Sequence, residues 1–442
     1  MECFKVYANQ IEDRIDSSPY HPTRINTIKK IKSIPTPIKP LIEIVKFENN
    51  VVHETPMNYP YIGLENIESN TGIYSKSNEE KETFDSAHLF NKGDILFPKL
   101  RPYLNKVYLS EFDGVCSTEF HVLKSKDINM KYLFIFLNSN LVVNQTSFLM
   151  TGNTLPRLQR TDIEKLLIPI PPLEIQNKIA QIMDSAYFTK KQKEEEAQKL
   201  IDSIEDYILS ELGIKILKLK ESLCYRVMAD ELKDNRIDSY YYQSKFDEIE
   251  KSITNSLYDV KKLKDVCSKI TRRFYPKKDV VYEYVQLGCI DIENASIKNT
   301  LKISLPDIPS RAQQVVIRGE ILFSGSLPNM KAHALITESD YVVSSGFYIL
   351  KSKSLDNFFL LTLLRLGIYS SYYLKFLTGA GLFKTISITD LMDIKIPVPP
   401  IKVQNKIADE VKSRMNKANQ LRTESKTILH EARKEVERII LS

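Results

Sequence analysis

Residues 99–106 of the chain, Lys99-Leu-Arg-Pro-Tyr-Leu-Asn-Lys106, set three cations (Lys99, Arg101, Lys106) and the ring of Tyr103 around a proline turn. Arginine can pair bidentately with a guanine edge or a phosphate, and lysine with a phosphate. The segment follows a predicted strand, so it lies on a loop able to reach a ligand; an ordinary solvated loop has the same composition. Between Lys261 and Lys278, eight basic residues (Lys261, Lys262, Lys264, Lys269, Arg272, Arg273, Lys277, Lys278) face only Asp265 and Asp279, and Phe274 and Tyr275 follow the arginine pair. Contact with a phosphate backbone is the natural use of such a run, since backbone charge supplies most non-specific affinity for nucleic acid. A plain basic surface explains it equally well. A third cluster is Gly152-Asn153 with Arg157, Gln159 and Arg160, answered in the second half by Gly379-Ala380-Gly381 with Lys384; Lys331 joins the cations of that half. Glycine there permits close approach of a ligand to the backbone, or simply makes the turn.

This is binding chemistry, and catalytic chemistry is hard to find beside it. A DNA methyltransferase needs a glycine-rich cofactor loop and an Asn/Asp-Pro-Pro-aromatic motif, yet the only Pro-Pro pairs, Pro171-Pro172 and Pro399-Pro400, are followed by Leu173 and Ile401. No GxxxxGK[ST] phosphate loop occurs, and no Ser/His/Asp or paired-carboxylate arrangement rises above chance. The five cysteines form no CxxC pair and the six histidines no HxxxH, so reduced thiols and no zinc are expected. With no signal-like N-terminus and no apolar run near ~18 residues, a cytoplasmic protein off the membrane is expected. A net charge of +6 over 442 residues permits nucleic-acid binding without requiring it.

The elements that must position these residues come in two copies. Ile168-Pro-Ile-Pro-Pro-Leu-Glu-Ile-Gln-Asn-Lys-Ile-Ala180 recurs as Ile396-Pro-Val-Pro-Pro-Ile-Lys-Val-Gln-Asn-Lys-Ile-Ala408. Alternating prolines stop whatever precedes them and open the helix that follows, which marks Pro171, Pro172, Gln176 and Ile179, with Pro399, Pro400, Gln404 and Ile407, as helix-start residues. The repetition extends further: Arg14-Ile-Asp16 matches Arg236-Ile-Asp238, and Gly93-Asp-Ile-Leu-Phe97 matches Gly319-Glu-Ile-Leu-Phe323. The Arg14/Asp16 and Arg236/Asp238 pairs are expected to be buried structural contacts, and Tyr240 to Tyr242 core or interface. Internal repetition of this kind indicates two tandem units.

Each unit begins with short strands, among them 94–97, 106–109 and 120–123 in the first and 320–323, 341–343 and 347–350 in the second. A helical patch follows, at 131–140 and 356–367, then the glycine loop and the proline stop. The helix after each stop has a seam with coiled-coil spacing. In the first it runs through Ile179, Met183, Ala186, Ala197, Leu200, Ile204 and Ile208. In the second, Ile407, Val411, Arg414, Ala418, Leu421, Ser425, Ile428, Ala432, Glu435 and Ile439 follow steps of four and three. About 40 residues make a helix roughly 60 Å long, and units related by a pseudo-twofold axis would set the two helices antiparallel. The expected organisation is α+β: a domain over 1–168, a long helix over 169–213, a second domain over 214–396 and a second long helix over 397–442.

This arrangement resembles the specificity (S) subunit of type I restriction-modification systems. The resemblance rests on the two proline motifs, each running on to an aspartate (Asp184, Asp409), on the run from Gly93 to Pro102, and on Cys116-Ser-Thr-Glu-Phe120. It implies a non-catalytic subunit in which each target recognition domain reads one half of a split sequence in double-stranded DNA. The antiparallel helices would act as a ruler and as a platform for two modification subunits. Those partners would carry S-adenosylmethionine and methylate adenine, and a restriction subunit using ATP and Mg could join them; this chain would need no cofactor. The second copy departs from the first at Lys402, which replaces Glu174, and at Gly325-Ser-Leu-Pro328, which replaces the Lys-Leu-Arg-Pro run, so the two units need not contact bases alike. Two other readings remain open: the recognition subunit of a type IIB-like system whose partner both cuts and methylates, and a coiled-coil scaffold with no role on DNA.

Overall fold

The computed structural model describes residues 16–48, 50–53, 59–76, 85–125, 127–152, 154–216, 226–228, 232, 238–379 and 384–442. The chain divides into two compact units. The first is Met1–Lys193 together with Thr423–Ser442, and the second is Glu194–Arg422. The division therefore falls inside the long helices rather than at the proline motifs, and each unit takes half of each helix.

The two units are built to one plan. In the first, a four-stranded antiparallel sheet runs in the order Lys46–Phe47, Phe120–Lys124, Ile95–Pro98, Tyr108–Leu109. A second sheet runs Val51–Val52, Ala87–Phe90, Gly114–Ser117, Tyr61–Ile62, its last pair parallel. The second unit repeats the first sheet as Cys267–Ile270, Phe347–Ser352, Ile321–Ser324, Ala334–Leu335. Its other sheet is Leu301–Ile303, Tyr282–Val285, Tyr341–Ser344, Ala312–Val316, again with a parallel pair where Tyr284 faces Val342. The repeated Ile-Leu-Phe run is apolar at successive positions because its strand is covered on both faces. Ile95 and Phe97 join one core while Leu96 joins another, and Ile321, Phe323 and Leu322 divide in the same way.

Each helical patch is two helices. Met130–Leu137 is followed by Asn140–Thr146, and Asn357–Leu364 by Gly367–Tyr373, because Ser139 and Leu366 are extended between them. The first helix of each pair is capped by a side chain: Asn129 Oδ1 accepts from Lys131 N and Tyr132 N, and Asp356 Oδ1 accepts from Phe359 N. Asp16 and Asp238, expected in buried contacts, are exposed; their carboxylates accept from Ser18 N and Tyr241 N at turns. The partners named for them, Arg14 and Arg236, lie outside the described residues. Tyr241 packs edge-on to Phe376 beside the core, whereas Tyr240 is exposed against Lys245.

The long helices are Leu173–Leu212 and Ile401–Ile440. Within the first unit, Ile179, Ala180 and Met183 share a core with Leu429, Val436 and Ile440, and Lys193 pairs with Glu424 at 2.6 Å. Within the second, Ala197 packs on Ala418 and Leu421, Arg414 donates to Ser203 O, and Lys406 pairs with Glu211. Low positions on one helix meet high positions on the other, so the pair is antiparallel in each unit. The buried stripe of the second helix runs Ile407, Val411, Ala418, Leu421, Ser425, Leu429, Val436, Ile440, and Glu435, expected on the seam, is exposed. A helix near 3.6 residues per turn drifts off a strict 3.5 repeat, which moves the seam one position onward after Ser425. Among the described residues no helix is long and apolar enough to cross a membrane.

Candidate nucleic-acid interface

In the first unit the strand Ile95–Pro98 delivers the chain into a short 3-10 turn, Pro102–Leu104, flanked by two left-handed residues, Arg101 (φ 49) and Asn105 (φ 50). The second unit repeats this as Pro328–Met330 between Leu327 (φ 46) and Lys331 (φ 58). Side chains seldom adopt this backbone region, which costs on the order of 1 kcal/mol or more per residue. Local pairing holds the turn. Arg101 N donates to Pro156 O and Leu158 N to Lys99 O, and in the second unit Leu327 N donates to Lys384 O and Ile386 N to Gly325 O. The turn and the glycine loop, far apart in sequence, therefore form one surface in each unit. Gly152 (φ 96) and Gly379 (φ 109) serve the turn geometry of that loop.

The candidate residues separate into two groups. Arg101 and Tyr103 are exposed and engage no other side chain among the described residues, and the same holds for Arg273, Lys277 and Lys384. The others are engaged within their own unit. Lys99 donates to Thr118 O at 2.6 Å, and burial holds its ammonium below the usual lysine value. Lys106 donates to Leu64 O, Gln159 to Thr151 Oγ1, and Arg160 pairs with Glu164 at 2.7 Å with its guanidinium over Phe47. Arg157 pairs with Glu119 through both Nε and Nη2. Arg272 pairs with Glu320, and Lys331 lies 3.9 Å from Glu205. Asn153 lies outside the described residues, as do Ala380 and Gly381.

The long basic run resolves in the same way. Lys262 and Lys264 converge on Asp393 at 3.2 and 2.8 Å, and Lys269 lies over the Tyr348 ring. On the loop beyond, the side chains of Arg273, Lys277 and Lys278 have no partner among the described residues, with Tyr275 73% exposed between them. Sequence reasoning did not identify the carboxylates that orient the arginines, Glu119 and Glu320. Glu320 had one visible signal: it occupies the place of Asp94 in the repeated Gly-Asp/Glu-Ile-Leu-Phe run.

Of the helix-start residues, Pro171, Gln176 and Ile179 face inward with their counterparts Pro399, Gln404 and Ile407, whereas Pro172 and Pro400 are exposed. Gln176 and Gln404 are 5% and 3% exposed, and Ile179 and Ile407 are fully enclosed in the cores. Leu173 and Ile401, one step after each Pro-Pro pair, are the exposed apolar residues there. Groups of three or more His, Cys, Asp or Glu side chains able to hold a metal do not occur among the described residues, and Cys116, Cys267 and Cys289 are free thiols.

Comparison with known proteins agrees with this plan. The family model described as "Type I restriction modification DNA specificity domain" matches residues 39–204 and again 255–430. The specificity subunit of the type I restriction enzyme EcoDI from Escherichia coli is 30% identical over 139 residues, a match covering 30% of this chain and 31% of that protein. The chain thus spans about a third of that relative. The MjaVIII specificity subunit of Methanocaldococcus jannaschii is 23% identical over 87% of this chain and 85% of its own length. A chain from a structure of a type I R-M system, solved for its complex assembly and conformational transition, superposes with a TM-score of 0.53 at 18% identity. That superposition covers 92% of this chain and 97% of the other.

Proposed function

The chain belongs to the family of the type I restriction modification DNA specificity domain, which it carries twice, and on that premise we propose that it reads a two-part target in double-stranded DNA. Each unit reads one half through its turn and glycine-loop surface. Modification subunits docked on the proline motifs and long helices perform adenine methylation with S-adenosylmethionine, and a restriction subunit using ATP and Mg completes the assembly. The chain itself supplies recognition and no catalytic step.

The observation that carries this reading is the duplication of the surface. Two equivalent loop pairs stand in two equivalent units, and among the described residues each presents a free cation, Arg101 in the first and Lys384 in the second. Sequence is read by base-edge contacts, while phosphate contacts set register. A pair of readers needs a set separation, and the presence of two 40-residue helices supports the reading that they act as its ruler. A helix of that length is roughly 60 Å, which corresponds to somewhat under two turns of duplex at about 3.4 Å per base pair.

The test is reconstitution with the modification subunit. The complex should transfer methyl groups to duplex DNA at a two-part motif, and neither component alone should do so. Inserting one helical turn in both long helices should lengthen the unread spacer while leaving both half-sites intact. Methyl transfer by this chain alone, or an unchanged spacer, would contradict the reading.

A further inference from the structure

We propose that the second unit grips its half of the target through a preorganised phosphate clamp, the 272–278 loop, which the first unit lacks; this rests on the reading of the chain as a DNA reader. The loop is fixed at its base. Arg272 Nη1 and Nη2 meet the two oxygens of Glu320 at 3.1 and 3.0 Å, and Nη1 also donates to Val315 O at 2.9 Å. Glu320 is 2% exposed, and its Oε2 also accepts from Ile317 N. The bond to Val315 O ties the loop to the strand Ala312–Val316, and the Glu320 pair ties it to the turn that follows. Backbone bonds from Val315 N to Arg272 O and from Phe274 N to Gln313 O continue the attachment.

The far side of the loop is fixed as well. Phe274 packs edge-on to Tyr282 at 4.8 Å, and Lys277 N donates to the Tyr282 hydroxyl at 2.8 Å. Arg273, Lys277 and Lys278 are exposed on this frame, their side-chain cations without a partner among the described residues, and Tyr275 stands between them. The loop thus has free cations on a backbone held from both ends. A loop already ordered loses little entropy when it meets a ligand, and three cations at one turn match a run of phosphates.

Among the described residues the first unit shows nothing equivalent. Asn50 takes the place of Arg272, since Leu89 N donates to Asn50 O as Val315 N does to Arg272 O, and Val51 stands in the ladder where Arg273 bridges Gln314. From Glu48 to Pro60 the sequence holds no lysine or arginine. Asp94, in the place of Glu320, accepts from Asn91 N and lies 3.6 Å from Lys124. Among the described residues of the first unit's candidate site, the arginine with a free side chain is Arg101, on the other loop, where the second unit has Leu327. The two halves of the target are therefore held by different loops. Arg272 is a positioning residue, acting on the ligand through the loop it anchors.

The experiment measures DNA affinity of the reconstituted complex against salt for the wild type, for R273Q/K277Q/K278Q and for E320Q. Neutralising three phosphate contacts lowers the slope of log K against log salt by about 2 to 3, at about 0.9 per contact, and the methylated motif keeps the half read by the first unit. E320Q leaves every loop cation in place, so the slope is retained while affinity falls several-fold. An unchanged slope in the triple variant overturns the clamp. A lower active fraction at unchanged affinity in E320Q overturns the positioning role of Arg272. A wild-type complex with no specific affinity for DNA would instead overturn the function on which the clamp rests.

Discussion

Gln176 and Gln404, 228 positions apart, make the same two hydrogen bonds. Each Nε2 donates to the carbonyl of the first proline of its own Pro-Pro pair, Pro171 at 2.9 Å and Pro399 at 2.8 Å. Each Oε1 accepts from the backbone N–H of the residue capping the helix that follows the first sheet, Asn129 at 3.0 Å and Asp356 at 2.9 Å. The glutamine therefore locks the start of the long helix to the cap of the helix packed beside it. Replacing Gln404 by Ala leaves two buried polar groups unmet, and each costs about 1–3 kcal/mol. The expected result is loss of about 2–5 kcal/mol of stability in the second unit, read by denaturant unfolding, with the equivalent loss in the first unit for Q176A.

Arg101 is held in place by its backbone while its side chain stays free. R101A should fold normally and weaken DNA binding. If the guanidinium reads a guanine, the loss is about 1–3 kcal/mol and specificity relaxes at one base pair. If it meets a phosphate, binding weakens for all sequences and the salt slope falls by about 1. Arg157, already paired with Glu119, should show a smaller direct effect. Affinity and motif analysis of the two variants separates these cases.

Where the helices meet in the second unit, Ala197 and Ala418 are fully buried and Leu421 nearly so. Small side chains set the close approach there. A418L should overpack the contact and destabilise the unit by about 1–3 kcal/mol. L421A should cost a similar amount by leaving a cavity, about 2–5 kcal/mol. Thermal unfolding of both variants tests the packing.

Three histidines make stability sensitive to acid. Burial lowers His88 to about 4 and His121 and His333 to about 3. Nearby Lys99 adds to the shift of the first two, and Arg365 to that of His333. Each stays neutral in the folded chain below pH 6.5, where the unfolded chain takes up a proton. Their contribution is thus intact above about pH 6.5 and is lost as pH falls toward 4, with a slope of about 1.4 kcal/mol per pH unit for each group. Neither ring nitrogen of His88 has a hydrogen-bond partner among the described residues. H88L should therefore flatten the pH dependence between 6.5 and 4 by about one proton, measured by denaturant unfolding at several pH values.

The duplicated plan could be read directly from the chain, because proline stops, strand runs and helix seams are local patterns. The long helices run within four residues of their expected ends, and the Ile-Leu-Phe strands within one. What could not be read depends on distant pairing. The parallel contacts of Tyr61 with Val115 and of Tyr284 with Val342 join short strands whose partners lie some fifty residues away. The sorting of cations depends on the same kind of information. Arg157 and Arg272 have Glu119 and Glu320 folded against them, whereas Arg101 and Arg273 have no such carboxylate among the described residues, and neither carboxylate is near its arginine in sequence.

The proposed role of this chain in setting where adenines are methylated is tested most directly by sequencing the methylome of cells carrying this gene with its modification partner, against cells lacking this gene alone. Methylated adenines are expected in a motif of two short read segments with unread bases between, all lost when this gene is removed. Methylation that persists unchanged without the chain, or that follows a single uninterrupted motif, would contradict it.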